Sequence, residues 1–172
     1  EPVTAALTSS AGTSVDVVAM VQRVAPAIVR LEGRTARTKV AGSAVLFRSD
    51  GYALTDGRLL GGATVLTAVL WNHRRIAARV LGTDPDTGVA VVKLDGAGFE
   101  VAPLGSTSAL AAGQHTVAVG SMSTATGVPP VAVALVLEAG RSVRDGARQL
   151  IGMIETDSRT TADAAGGALL DD

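Results

Sequence analysis

The sequence predicts an all-β protein, a barrel or sandwich of short antiparallel strands, and three observations carry that reading. Apolar residues make up 47% of the chain and are nearly all Ala, Val and Leu, with aromatics at only 2%; such a core depends on β-branched packing with few large anchors. Strand-like runs recur at short intervals with Gly, Asp and Pro between them. Ser49-Asp50-Gly51 separates two apolar runs, and Asp-Gly is a strong signal for a tight hairpin turn.

Residues 1–14 are small, polar and unpatterned, and are expected to form a flexible lead-in. A helix is expected from Ser14, with Asp16 in its first turn, because Val17, Met20, Val21 and Val24 fall on one face at helical spacing. Pro26 ends it, and Ala27–Leu31 reads as the first strand. Lys39–Phe47 and Tyr52–Thr55 form the hairpin across Asp50-Gly51. Ala63–Leu70 and Arg75–Leu81 flank an Asn72-His73 turn, and Val89–Leu94 is a further strand. After a Gly-, Ala- and Ser-rich stretch over Gly96–Gly113, strands are expected at Thr116–Gly120, Val131–Glu138 and Leu150–Thr156. That stretch marks a lobe boundary, giving a lobe over 15–100 with its leading helix and a second over 101–172.

Composition excludes several function classes. Fifteen basic and sixteen acidic residues give a net charge of −1 without a long run of one sign, which argues against nucleic acid as the main partner. The absence of Cys excludes disulfides, thiolate metal sites and a cysteine nucleophile. No stretch approaches the ~20 apolar residues of a bilayer-spanning helix. Glu1-Pro2-Val3-Thr4 has neither a charged nor an apolar leader, so the chain reads as a mature or excised segment.

Several segments together resemble the protease domain of the HtrA family. Ala41-Gly42-Ser43-Ala44-Val45-Leu46-Phe47 and Ser49-Asp50-Gly51-Tyr52-Ala53-Leu54-Thr55 are similar to that family's GSGVI and DGYILT hairpin. Ala78–Thr87 is similar to its A-x-V-x-G-x-D-P stretch, Val101–Ser106 to its P-L-G-D-S segment, and Gly113 to Gly120 to its G-x-x-V-x-A-I-G. Glu155-Thr156-Asp157 resembles the Q-T-D before the catalytic serine segment. The order is kept from about Val15 to Leu170. The resemblance implies two six-stranded trypsin-type β-barrels with any site in the cleft between them. It also implies roughly two strands more than the sequence holds after the Gly166-Gly167 segment, so the second barrel is expected to be incomplete here.

The catalytic positions depart from the family pattern. Arg58 stands where L-T-x-x-H has its histidine, Gly88 where D-P-x-T-D has its aspartate, and Ala165 where G-N-S-G-G has its serine. Acyl transfer needs a hydroxyl nucleophile, a base that takes its proton and a carboxylate that orients the base. Ala165 offers no nucleophile, Arg58 stays protonated, and Gly88 carries no charge. Asp163 replaces the glycine of the oxyanion-hole segment, where a carboxylate would repel a developing oxyanion. The resemblance therefore implies a pseudoprotease, an inactive trypsin-fold module that binds or regulates a protein or peptide outside the cytoplasm and needs no cofactor or metal. Two alternatives are an endopeptidase using unconventional residues and a structural ectodomain of a membrane protein.

Other residues have plainer readings. His73 is expected in an exposed turn, and His115 at the entry to a strand. Asp84, Asp86, Asp95, Asp171 and Asp172 read as turn formers. Ser158, Thr160 and Thr161 lie near the former nucleophile segment, but no histidine is placed to serve them. Trp71 and Tyr52 are expected to pack over the barrel. Arg141, Arg144 and Arg148 fall in Gly140–Gln149, expected as a solvated loop; in the resembling family this region is a regulatory loop.

Overall fold

The computed structural model describes residues 16–35, 38–63, 65–123, 126–146, 148–158 and 164–171. The lead-in expected over 1–14, together with Thr160, Thr161 and Asp163, lies outside the described residues. Helix α1 spans Val17–Val24. Asp16 is its N-cap and not a first-turn residue: the carboxylate accepts from the Ala19 amide at 3.0 Å, which satisfies a donor the helix itself cannot.

Six strands then close a barrel. They are β1 (Ile28–Arg34), β2 (Lys39–Arg48), β3 (Tyr52–Asp56), β4 (Val65–Val69), β5 (Arg75–Thr83) and β6 (Val89–Leu94), in the order β1-β2-β3-β6-β5-β4. Every pairing is antiparallel. The alternation of the sequence becomes the alternation of the pleat: Ala53 and Thr55 of β3 are buried, as are Ala90, Val92 and Leu94 of β6. Val29, Leu31, Ala44, Leu46, Val92 and Leu94 fill the interior with small and branched side chains. At the Asp50 turn Gly51 has φ 99°, and a Cβ there would stand 2.6 Å from the Leu94 carbonyl oxygen, so glycine is required by both conformation and space.

The second half forms a four-stranded sheet ordered β10-β7-β8-β9. Its strands are β7 (His115–Val119), β8 (Val131–Asp145), β9 (Arg148–Thr156) and β10 (Ala168–Leu170). The expectation of two six-stranded barrels is thus met by one closed barrel and one open sheet among the described residues. The solvated loop expected over Gly140–Gln149 is instead hairpin: β8 runs on to Asp145 and β9 begins at Arg148. Register shifts along this ladder, with Gly140 at φ 79° and Gly152 at φ 70°, let a long ribbon bend out of the sheet. Arg141 bridges Glu138 and Glu155 within it. Trp71, in the β4–β5 turn, is 40% exposed and lines a small pocket with the barrel residues Ile28 and Val69.

A second apolar cluster joins the halves. Val24, Ala27 and Ile28 meet Val45 of the barrel wall and Val117 and Val119 of β7, with Met20 and Val21 of α1 packed on top. The helix therefore seals the junction of the two sheets. Leu46 is 1% exposed in the barrel interior, whereas Val18 is 65% exposed on α1. Leu46→Ala is expected to cost about 2–5 kcal/mol in urea unfolding and Val18→Ala within about 0.5 kcal/mol. Equal midpoints for the two variants would contradict this placement of the core.

Candidate functional site

A cavity of about 380 Å³ opens between the barrel and the second sheet. Val45 and Leu54 line it from the barrel, Leu150 and Met153 from β9, Leu169 and Leu170 from β10. The linker residues Ala102–Gly105 close one side. Asp56, Arg58 and Gly88 bring the polar part of the wall.

Arg58 is placed by a single 3₁₀ turn over Gly57–Leu60 that follows β3. Asp56 caps this turn, accepting from the Arg58 amide at 2.8 Å. The same carboxylate accepts from Arg58 Nε at 3.0 Å and from Nη2 at 2.7 Å, so the side chain folds back on its own cap. Arg58 Nη1 also reaches Asp145 Oδ2 at 3.3 Å, at the end of β8. Burial is the largest single influence on the Asp56 carboxyl and pushes it upward. The hydrogen bonds and charge of Arg58 together outweigh burial and hold the group below its ordinary value. Hydrogen bonding to Asp56, then its charge, holds the guanidinium still more firmly protonated than usual.

Gly88 ends the β5–β6 connection with φ 73°. Its carbonyl accepts from the Gly57 amide at 2.8 Å, and its own amide donates to the Asp84 carbonyl at 2.9 Å. Asp84 is held below its ordinary carboxyl value, first by the Thr87 hydroxyl and then by the Asp86 amide. Hydrogen bonds thus tie the turn carrying Arg58 to the loop carrying Gly88. Ile151 of β9 also donates its amide to the Asp86 carbonyl at 2.9 Å, docking the ribbon on the same loop.

Ala165 is not in the cavity wall; its carbonyl accepts from the Ser43 amide at 2.9 Å. The next residue, Gly166, is in the wall itself. A Cβ on Gly166 would stand 2.5 Å from Thr55 Oγ1 and 3.2 Å from the Asp56 amide nitrogen. Arg58, Gly88 and Gly166, the residue after Ala165, are remote in sequence and line one cavity.

Neither histidine reaches it. His73 has φ 63° in the β4–β5 turn and lines a separate small pocket with Trp71 and Met122. His115 is exposed at the start of β7. The hydroxyls in the wall are Thr55, which donates to the Ser43 carbonyl at 2.6 Å, and Thr87, which donates to Asp84 at 2.7 Å. Sequence reasoning missed Asp56, Leu150 and Met153. For Asp56 a signal existed: a carboxylate directly after a strand and two residues before Arg58 fits a cap. For the other two no local signal existed, because their place depends on the bend of the ribbon.

Comparison with known proteins agrees with the fold. The family described as "Trypsin-like peptidase domain" matches residues 42–172. A "Probable periplasmic serine endoprotease DegP-like" of Pseudomonas savastanoi pv. phaseolicola is 35% identical over 88 residues, which are 51% of this chain and 18% of that protein. Its counterpart in Pseudomonas fluorescens is 38% identical over 80 residues, 46% of this chain and 17% of that one. The match is thus confined to less than a fifth of these relatives. The solved structure "HtrA-type protease AlgW with tripeptide" superposes with a TM-score of 0.77 at 30% identity, over 88% of this chain and 49% of that chain. The serine endoprotease from Yersinia pestis gives 0.71 at 26%, over 88% and 52%.

The lowered Asp56 carboxyl carries a pH signature. Its unfolded value is about 3.9. The stabilisation from its pairing with Arg58 is therefore complete above that value and is lost as pH falls through the lower folded one. Urea midpoints of the protein and of Asp56→Asn are expected to differ by a constant gap at neutral pH that closes below about pH 4. A gap that widens in acid would place the pairing elsewhere.

Proposed function

Because the chain belongs to the trypsin-like peptidase domain family, and within it to the HtrA type, we propose that it is a catalytically inactive member, an extracytoplasmic module that binds protein or peptide. The observation that carries this reading is the composition of the cavity wall and of the segment that leads into it at Gly166. Where the resembling family has histidine, aspartate and serine, this chain has Arg58, Gly88 and Ala165. Among the described residues, no imidazole lies in the wall, and both of its hydroxyls donate to protein oxygens. A guanidinium pinned to Asp56 cannot take a proton from a nucleophile.

What the cavity does offer is an apolar trough closed by Leu150, Met153, Leu169 and Leu170, with one charged pair at its rim. Such a site takes an apolar side chain of a peptide and fixes its orientation by few polar contacts. The periplasmic naming of the relatives supports an extracytoplasmic setting. The tripeptide-bound HtrA-type structure supports a peptide as ligand.

Labelled peptides carrying a central Leu or Val are expected to bind saturably without turnover, and Met153→Arg to abolish binding while the protein stays folded. Cleavage of peptide or casein that a serine-directed reagent stops would refute the proposal. Restoring Arg58→His, Gly88→Asp and Ala165→Ser together is expected to leave the protein folded and inactive. Gly88 has φ 73°, a conformation that an aspartate there would adopt only under strain. Asp56 is also placed to capture an imidazole at position 58, and small misplacements of a triad are costly.

A further inference from the structure

Charge is divided unevenly along the chain. Residues 17–80 hold ten basic and three acidic side chains, whereas residues 81–172 hold five basic and eleven acidic ones. The net charge of −1 conceals this division. Much of the basic excess collects on the outer face of the barrel. Along β1, Leu31 points inward and is buried, so Arg30, Glu32 and Arg34 share the outward face. Lys39 of β2 stands directly opposite Arg34. Arg75 of β5 faces Val69, which itself pairs with Arg30.

These residues line a groove of about 540 Å³ that shares no lining residue with the cavity described above. Its apolar lining is Val40, half-buried, and Val65, 74% exposed. Beneath it Gly33 packs on the buried Leu66, since a Cβ there would stand 2.6 Å from Leu66 Cδ2. Glu32 is the one carboxylate in the lining, and it is already committed. Its oxygens accept from Arg30 Nε at 3.3 Å and from Arg75 Nη2 at 2.7 Å. The groove therefore carries four cations against one anion.

Like charges directly opposite in a sheet are destabilising. Arg34 and Lys39 are such a pair, both exposed, and no salt bridge to either exists among the described residues. Next to this pair the Thr35 amide donates to the Thr38 carbonyl at 2.8 Å and the Thr38 amide to Thr35 Oγ1 at 3.0 Å. These bonds and the strand pairing hold the two cations in register.

We propose that this groove binds an extended acidic peptide segment bearing an apolar side chain, its carboxylates on Arg34, Lys39 and Arg75 and the apolar group on Val65 and Val40. Both β1 edges are already paired, to β2 and β4, so recognition is by side chains and not by strand addition. The cations run along β1 for roughly 13 Å between Arg30 and Arg34, and an extended chain presents same-face carboxylates every ~6.8 Å. The Arg30 side chain is only 16% exposed, below the rim, where a narrow chain reaches and a planar anionic membrane does not. No aromatic ring lines the groove to stack a nucleobase.

The test is fluorescence anisotropy with a labelled peptide holding one leucine flanked on each side by two glutamates, beside its glutamine counterpart. The glutamate peptide is expected to bind, with affinity falling as salt rises, and the glutamine peptide to bind at least about tenfold more weakly. Arg34→Gln with Lys39→Gln, both at exposed positions, is expected to weaken binding about three- to tenfold while the thermal melt stays the same or rises, since a like-charge pair is removed. Met153→Arg, in the other cavity, is expected to leave it unchanged, which separates this site from the one proposed above. Equal binding of the two peptides, or no effect of the double variant, would overturn the proposal. So would association with anionic vesicles in place of peptide. Self-association that the double variant abolishes, without peptide binding, would assign the groove to the acidic half of a second copy.

Discussion

The two halves of this fold meet through backbone at Gly166 and Gly167, where no side chain fits. A Cβ on Gly166 would fall inside the contact distance of the Ser43 carbonyl oxygen, and one on Gly167 would do the same at the Val119 carbonyl. The first of these belongs to the barrel and the second to β7. The glycine pair is thus a wedge with no thickness beyond its main chain, and it fixes how closely the sheets approach. Ser43 completes the seam. Its amide donates to Ala165, its hydroxyl donates to Ser121 Oγ at 3.0 Å, and the Ser121 amide donates to that hydroxyl at 2.7 Å. Buried polar groups are tolerated when their bonds are met in this way. Cavity, linker and ribbon all take their positions from this seam.

How far the sequence foretold this follows from the range of the interactions. Barrel strands were legible because inward and outward residues alternate and because Asp50-Gly51 announces its turn. The region around Arg58, Gly88 and Ala165 was legible only through ordered resemblance, since composition and periodicity say nothing about which loops converge. The extension of β8 through Arg141 and Asp145 was hidden. Its residues are exposed and charged, and they form strand because β9 pairs with them across bulges. Periodicity cannot register pairing between polar faces. The N-cap role of Asp16 was missed because one residue decides it, and helix starts are uncertain by that much.

The bent ribbon gives the cavity its present character. Leu150 and Met153 of β9 bring apolar surface to a wall that otherwise consists of loop backbone and the Asp56–Arg58 pair. Two contacts hold the ribbon there, Ile151 to the Asp86 carbonyl and Asp145 to Arg58. The second is partly exposed at both ends, so it contributes little to stability and more to the position of the ribbon tip. Arg58 therefore has two structural tasks, capping a turn through Asp56 and receiving the ribbon through Asp145. A residue so engaged has been fitted to its place.

That fit bears on how the site should be understood. A cation in a place arranged for another residue would stand beside unsatisfied groups. Instead, all three polar nitrogens of the Arg58 guanidinium meet carboxylate oxygen. Every buried side-chain nitrogen and oxygen among the described residues has a partner. The polar groups of this wall are thus paired within the protein's own architecture, the condition on which buried polar groups are tolerated in a fold.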